Sequence, residues 1–382
     1  MEYRLEELFD LQMGKTPSRS VTEYWESGNN KWISIADLSK CGKYIYDTKE
    51  CLSDIAVSES GIKQIPANTV VMSFKLSIGK TAITSEPMYS NEAIMSFRDR
   101  KLVQLLPEYI YYLLLSKNWD DGTNKAVMGK TLNKATLSKV KVNIHSMQEQ
   151  QEIVYVLNQA TALIELHQQQ LQKLDELVKA RFVEMFGGIH DSSLYPYVPV
   201  KELTHVISGG TPSRDVLEYW RDGTIPWVKT TELQNKIITE VDEHITSKGL
   251  AASSAKIVPP NTTLIAMYGQ GKTRGMTGYL GISASTNQAC ACILPSPEIN
   301  SVYIWKYFEL SYDKLRNMAK GGNQPNLNGN MIKNFPVLVP PIKRQEEYVQ
   351  FVNQVDKSKV AVQKSLDEAQ LLFDSLMQQY FG

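Results

Sequence analysis

Two short stretches carry residue types associated with phosphate chemistry. Gly79-Lys80-Thr81 and Gly271-Lys272-Thr273 both read Gly-Lys-Thr. A loop that cradles nucleotide phosphates with its backbone amides needs a further glycine five positions earlier. Those positions hold Phe74 and Ala266, so the phosphate-loop reading fails. Other reactive constellations are missing too. The chain has neither Asn-Pro-Pro-Tyr nor Asp-Pro-Pro-Tyr, the tetrapeptides with which amino-methyltransferases hold a target amino group. None of the five histidines stands at a metal-ligand spacing. The four cysteines, Cys41, Cys51, Cys290 and Cys292, supply one C-x-C pair, which is not a zinc spacing. Gly269 and Gly271 read as part of a flexible loop, not as the opening of a dinucleotide-binding helix. No cofactor, metal or catalytic residue is expected. What remains for the polar residues is recognition by hydrogen bonds and charge.

Composition sets bounds on the partner. The 382 residues include 41 Lys and Arg against 41 Asp and Glu, for a formal net charge of zero. That argues against a strongly basic binder working alone. It leaves room for a binder that borrows positive surface from partner subunits. The start, MEYRLEELFD, lacks the basic and apolar regions of a signal peptide. No apolar run approaches the ~20 residues that span a bilayer. The expectation is a cytoplasmic protein with reduced, structural thiols and no membrane contact.

The elements that must position the polar residues come in two copies. GKTPSRSVTEYWESGNNKWI at 14–33 returns as GGTPSRDVLEYWRDGTIPWV at 209–228, an offset of 195 (209 − 14) with 11 of 20 residues identical. Such self-similarity at a fixed period marks a repeated structural unit. Leu132-Asn133 falls on Leu327-Asn328, Gln150 on Gln345, and Phe186-Gly187 on Phe381-Gly382. In between the offset drifts. Ile65-Pro66-Ala67-Asn68 matches Val258-Pro259-Pro260-Asn261, and the two Gly-Lys-Thr stretches match each other. The chain is therefore two copies of a unit of about 190 residues, with a kept frame and divergent loops. Short β-rich runs after a Pro-x-Asn turn, and apolar helical stretches near 107–119 and 297–315, predict a mixed α/β head in each copy.

Each head is followed by a stretch without Gly or Pro. In the first, Ile153, Ala160, His167, Leu174 and Arg181 form one row and Leu157, Ile164, Leu171, Val178 and Met185 a second. Shifted by 195, the rows become Tyr348, Val355, Val362, Ala369, Leu376 and Val352, Lys359, Leu366, Phe373, Tyr380. Alternating steps of four and three define a coiled-coil seam. The polar entries His167, Arg181 and Lys359 are read as seam residues that fix register. A seam of this length is roughly 50 Å long. If a two-fold axis relates the copies, the helices run antiparallel and a dumbbell results. Two similar heads at a fixed separation suit duplex DNA, whose groove recurs every ~34 Å.

With its GxTPSR…YW…G…W motif in both copies, its Pro-x-Asn strand and its polar Gln-Glu entry to each long helix, the sequence resembles the specificity subunit of type I restriction–modification systems. The likeness runs over essentially the whole chain. The first copy departs from the pattern by lacking the paired prolines of FPVLVPPIKRQEEYV. The resemblance implies target recognition domains at 1–146 and 188–341 and spacer helices at 147–187 and 342–382. It implies a bipartite, asymmetric double-stranded DNA target, two methyltransferase subunits and restriction subunits as partners, and no catalytic activity in the chain itself. The competing reading is a duplicated coiled-coil adaptor that reads no DNA, which the zero net charge favours.

Base edges are read by Arg, Lys, Asn, Gln, Ser or Thr on well-held loops. The candidates in the second head are Gln270, Lys272, Thr273 and Arg274, then Lys320, Asn323, Gln324 and Asn326. Those in the first head are Lys75, Ser77, Lys80 and Thr81, then Lys130, Thr131 and Asn133. Ser18, Arg19, Ser213 and Arg214 are identical between heads, whereas heads reading different half-sites should differ where they touch bases. These four are expected to hold the frame or to contact phosphate. Trp25, Trp32, Trp220 and Trp227 are expected in the core.

Overall fold

The computed structural model describes the backbone of residues 1–75, 77–119, 124–126, 129–269, 271–319 and 326–382, with side chains over the same ranges except 124–126 and 129–131. The chain divides into two compact units, residues 1–168 with 364–382, and residues 169–363. Each unit holds one mixed α/β head and a part of each long helix.

In the first unit a five-stranded sheet runs in the order Phe9–Met13, Ile94–Asp99, Val70–Ser73, Thr81–Thr84, Tyr44–Ile45. Its neighbours are antiparallel except the last pair, which is parallel. A three-stranded sheet, Glu50–Leu52, Asn30–Ile33, Tyr89–Ser90, lies in the same head. The second unit repeats both orders: Val206–Ser208, Cys290–Ile293, Thr263–Ala266, Thr277–Leu280, Lys236–Ile238, and Glu243–Ile245, Ile225–Val228, Ser285–Thr286. The central strands Val70–Ser73 and Thr263–Ala266 are buried at every residue. Strands covered on both faces read as continuous apolar runs without alternation, which is how both appear in the sequence.

Helices cover these sheets. Pro107 opens Pro107–Leu115 at a position where its missing N–H costs nothing. Asn300 caps Ser301–Leu310, its side chain accepting from the amides of Val302 (3.0 Å) and Tyr303 (3.1 Å). Equivalent tyrosines anchor the heads. The hydroxyl of Tyr109 donates to the carbonyl of Asn143 (3.2 Å), and that of Tyr303 to the carbonyl of Leu338 (2.8 Å).

The two long helices are Met147–Phe186 and Ile342–Phe381, 40 residues each. Ile153, Leu157, Ala160, Val178, Met185, Tyr348, Val352, Val355 and Ala369 are buried. Ile164, Leu171, Leu366 and Phe373 in the middle of the rows are half-buried. In the second unit the pairing is antiparallel: Lys359 meets Asp175, while Tyr348 donates to the carbonyl of Val178 (3.4 Å) and packs on Phe182. His167 is half-buried in its row, and Arg181 pairs with Glu184 at 2.7 Å beside Phe351. Phe186 ends the first helix against Tyr303 and Tyr348 of the second unit. Phe381 ends the second helix against Tyr109 and His145 of the first.

Each long helix is locked at its start. Gln150 and Gln345 are fully buried. Gln150 accepts from the amide of Leu106 (3.1 Å) and donates to the carbonyls of Gln104 and His145 (3.0 Å each). Gln345 accepts from the amide of Asn300 (2.9 Å) and donates to the carbonyl of Pro340 (2.7 Å). The repeated glutamine thus ties the spacer helix to its head. Among the described residues no helix is long and apolar enough to cross a membrane. Cys290 and Cys292 lie buried in one strand, where burial pushes both thiols up, that of Cys292 to about 11.

Candidate nucleic-acid interface

The TPSR motif forms a closed arrangement in both heads. Arg19 donates to both carboxylate oxygens of Glu50 (2.5 and 3.0 Å) and lies over the Trp25 ring (3.6 Å). Arg214 donates to Glu243 (2.5 Å) and lies over the Trp220 ring (3.7 Å). Beneath each arginine two tryptophans meet edge to face at 5.0 Å, Trp25 with Trp32 and Trp220 with Trp227. Trp25 and Trp220 donate back to the carbonyls of Ser18 and Ser213 (3.2 and 3.0 Å). The hydrogen bond from Arg19 holds the Glu50 carboxyl below its usual range. Burial pushes the Glu243 carboxyl up, but hydrogen bonds from Arg214 and Lys229 outweigh it and hold the carboxyl low. An arginine paired with a carboxylate and stacked on indole is held in place. The motif therefore braces the frame, with Trp32 and Trp227 buried and Trp25 and Trp220 half-buried.

The divergent candidates gather on one hairpin per head. In the first head, residues 74–80 connect the strands Val70–Ser73 and Thr81–Thr84; in the second, residues 267–276 connect Thr263–Ala266 and Thr277–Leu280. The strand registers correct the expected match between the two Gly-Lys-Thr stretches. Val70 pairs with Ile83 and Thr263 with Tyr279, so the offset is 193 (263 − 70) before the hairpin and 196 (279 − 83) after it. Gly79 is therefore equivalent to Gly275, not to Gly271. The backbone agrees: Gly79 has φ +86° and Gly275 φ +87°, and their amides donate to the carbonyls of Ser73 and Ala266 (both 2.9 Å). The second hairpin is three residues longer (196 − 193), and its Gly-Lys-Thr lies inside the extra length.

Each hairpin base also meets the segment holding the other candidates. The amide of Leu132 donates to the carbonyl of Phe74, and that of Leu327 to the carbonyl of Met267, both at 3.0 Å. In the first head Lys75 is half-exposed and Ser77 exposed. Lys80 reaches the Ser39 hydroxyl at 2.7 Å. Thr81 begins a strand and is buried, its hydroxyl on the carbonyl of Gly79 (3.0 Å). Asn133 caps a short helix, accepting from the amide of Thr136 (2.7 Å), as Asn328 does from Met331 (3.0 Å). Thr81 and Asn133 thus serve internal contacts. In the second head Lys272 is exposed, and Thr273, Arg274 and Asn326 are half-buried. Gln270, Lys320, Asn323 and Gln324 lie outside the described residues, as do the side chains of Lys130 and Thr131.

The sequence reading missed the residues that support the second hairpin. Tyr312 and Arg316, one helical turn apart on the helix Tyr312–Met318, reach it from below. It also missed an ionic cluster where the head helix meets the long helices. Lys306 is nearly inaccessible and pairs with Glu309 (3.0 Å) and Asp356 (3.8 Å); Lys359 pairs with Asp356 (3.7 Å) and Asp175. A lysine and a glutamate inside the otherwise apolar SVYIWKYFEL were the available signal. Among the described residues no cluster of His, Cys, Asp or Glu is arranged to hold a metal ion.

Two equivalent α/β heads, each with a polar hairpin on a braced frame and each followed by a long helix, define a duplicated α/β protein. The profile of the type I restriction modification DNA specificity domain matches the chain twice, over residues 1–176 and 194–369, and the chain belongs to that family. It is 23% identical to the MjaIX specificity subunit of Methanocaldococcus jannaschii, over 98% of this chain and 90% of that one. It is also 23% identical to the EcoR124I/EcoR124II specificity subunit of Escherichia coli, over 66% and 63%. Its fold matches the type I S subunit from M. genitalium with a TM-score of 0.56 at 13% identity, over 100% and 96% of the two chains. A chain from a structure on complex assembly and conformational transition of the type I R-M system matches at 0.60 and 14%, over 99% and 96%.

Proposed function

We propose that the chain gives a type I restriction–modification complex its DNA specificity and catalyses nothing itself. Target recognition domains at 1–146 and 188–341 each read one half of a bipartite, asymmetric duplex target. Spacer helices at 147–187 and 342–382 set the gap between the halves and dock two methyltransferase subunits, with restriction subunits completing the assembly. The observation that carries this reading is a duplicated frame with divergent hairpins. Both heads have the same strand orders and the same Arg–Trp brace. They differ in length and sequence at 74–80 and 267–276. Two readers with one frame and different contact residues recognise two different short sequences. Lys75, Ser77 and Lys80 serve one half-site, and Lys272, Thr273, Arg274 and Asn326 the other. Zero net charge fits a subunit whose hold on phosphate is shared with basic partners.

The test uses the chain alone and in complex with its methyltransferase. The chain alone transfers no methyl group and cuts no DNA. The complex binds a duplex carrying the target, and its affinity falls steeply with salt as phosphate contacts release counterions. Turnover by the chain alone, or binding indifferent to both salt and sequence, would contradict the proposal.

A further inference from the structure

The hairpin of the second head is held by two side chains of the helix Tyr312–Met318. The hydroxyl of Tyr312 donates to the carbonyl of Lys272 at 2.7 Å. Arg316 donates to the carbonyl of Arg274 at 2.9 Å and, through the same nitrogen, to the Tyr312 hydroxyl at 3.2 Å. Just after the second of these carbonyls, a Cβ at Gly275 would come within 3.3 Å of Arg316 and 3.4 Å of the Tyr312 ring. The glycine therefore lets the loop settle directly on the helix. In the first head the shorter hairpin is closed from within. The Ser73 hydroxyl donates to the carbonyl of Ser77 and accepts from the amide of Lys80 (3.1 Å), and Gly79 sits against Trp119.

We propose that Tyr312 and Arg316 are positioning residues for recognition of one half-site: they fix the backbone at Lys272 and Arg274 so that these side chains reach the bases in a preset conformation. The inference rests on the DNA-reading function above. A longer loop has more conformations to lose on binding, and clamping it beforehand lowers that cost. Neither residue needs to touch DNA. Backbone carbonyls are the clamped groups, so the arrangement tolerates changes of side chain at 272 and 274 while keeping the loop's path. The target of one head could thereby change without rebuilding its support.

The experiment uses the complete complex of this chain with its methyltransferase subunits, and the target defined from methylated DNA of cells that carry them. Tyr312→Phe and Arg316→Met are compared with wild type on a set of duplexes with single-base changes in either half-site. Each lost hydrogen bond should weaken binding of the true target about threefold to tenfold. Discrimination should relax in one half-site only. Arg316→Lys, which keeps a donor, should recover part of the loss. Ser39→Ala, which removes the contact of Lys80, should leave that half-site untouched. Unfolding midpoints of the variants should match wild type, separating positioning from general instability. Equal loss in both half-sites, unchanged discrimination, or a loss of binding that tracks the unfolding midpoint would each overturn the assignment. Failure of the wild-type complex to prefer any duplex would instead overturn the DNA-reading function on which it rests.

Discussion

The two heads share their braces and differ in their junctions. Arg19 over Trp25 has its twin in Arg214 over Trp220, Gln150 in Gln345, and Tyr109 in Tyr303. Where the head helix meets the long helices, the correspondence ends. Lys306, Glu309, Asp356 and Lys359 of the second unit stand where the first has Tyr112, Leu115, Thr161 and Ile164. The first unit bonds the Tyr112 hydroxyl to Asn158 (2.7 Å) and Thr161 (3.3 Å), and pairs Lys43 with Glu108 at 3.1 Å. The second joins three helices through its ionic cluster. One architectural demand is therefore met by two unrelated chemistries. What the repeat preserves is the backbone frame. What it releases is any side chain whose job can be done another way.

The junctions should respond most differently. Lys306→Met takes from the Glu309 carboxylate the cation it pairs with, and removing one partner from a buried ionic group should cost about 3 kcal/mol. Tyr112→Phe at the equivalent place should cost about 1 kcal/mol. Chemical unfolding of the two variants measures both, and equal losses would break the contrast. The shared lock should behave alike. Gln150→Leu and Gln345→Leu each leave a buried amide without its acceptor, for about 2 kcal/mol apiece. Unequal costs would show that one head depends less on its lock. The caps come next. Asn133→Ala and Asn328→Ala should each cost about 1 kcal/mol. Asn133→Asp should restore the cap and leave DNA binding intact, whereas a base-reading Asn133 would not tolerate it.

Near neutral pH the smallest effect comes from His190 in the second unit, and it grows as pH falls. Burial, with Lys314 nearby, depresses His190 from 6.5 to about 4, against a weaker opposing pull from Asp191. Its ring nitrogen Nδ1 lies 3.5 Å from the Tyr307 hydroxyl. A depressed histidine binds its proton more tightly when unfolded. Its stabilising contribution is present above about pH 6.5 and is lost as pH falls towards about 4. His190→Gln should flatten stability across that window. An unchanged pH profile would mean that His190 does not set the acid stability of this unit.

Much of the frame was legible because it obeys short periods. The four-three steps of Ile153, Leu157, Ala160 and Ile164 locate the seam, and Gln150 on Gln345 locates the lock, since a buried amide recurs only where the same backbone groups need it. The hairpins were harder to align. Two Gly-Lys-Thr stretches suggested a match that the strand registers reject, because three inserted residues move the equivalent glycine to Gly275. Thr81 and Asn133 have the chemistry of base readers but are used by a strand start and a helix cap. Residue type alone does not separate those uses. Tyr312 and Arg316 act through backbone carbonyls, which leave no mark in the residues they hold.

One frame, used twice, should read two different half-sites. Methylome sequencing of cells carrying this chain with its methyltransferase, against cells lacking the chain, tests it directly. One asymmetric motif in two parts, separated by bases of no specified identity, is expected. A continuous motif, or a perfectly palindromic one, would contradict it.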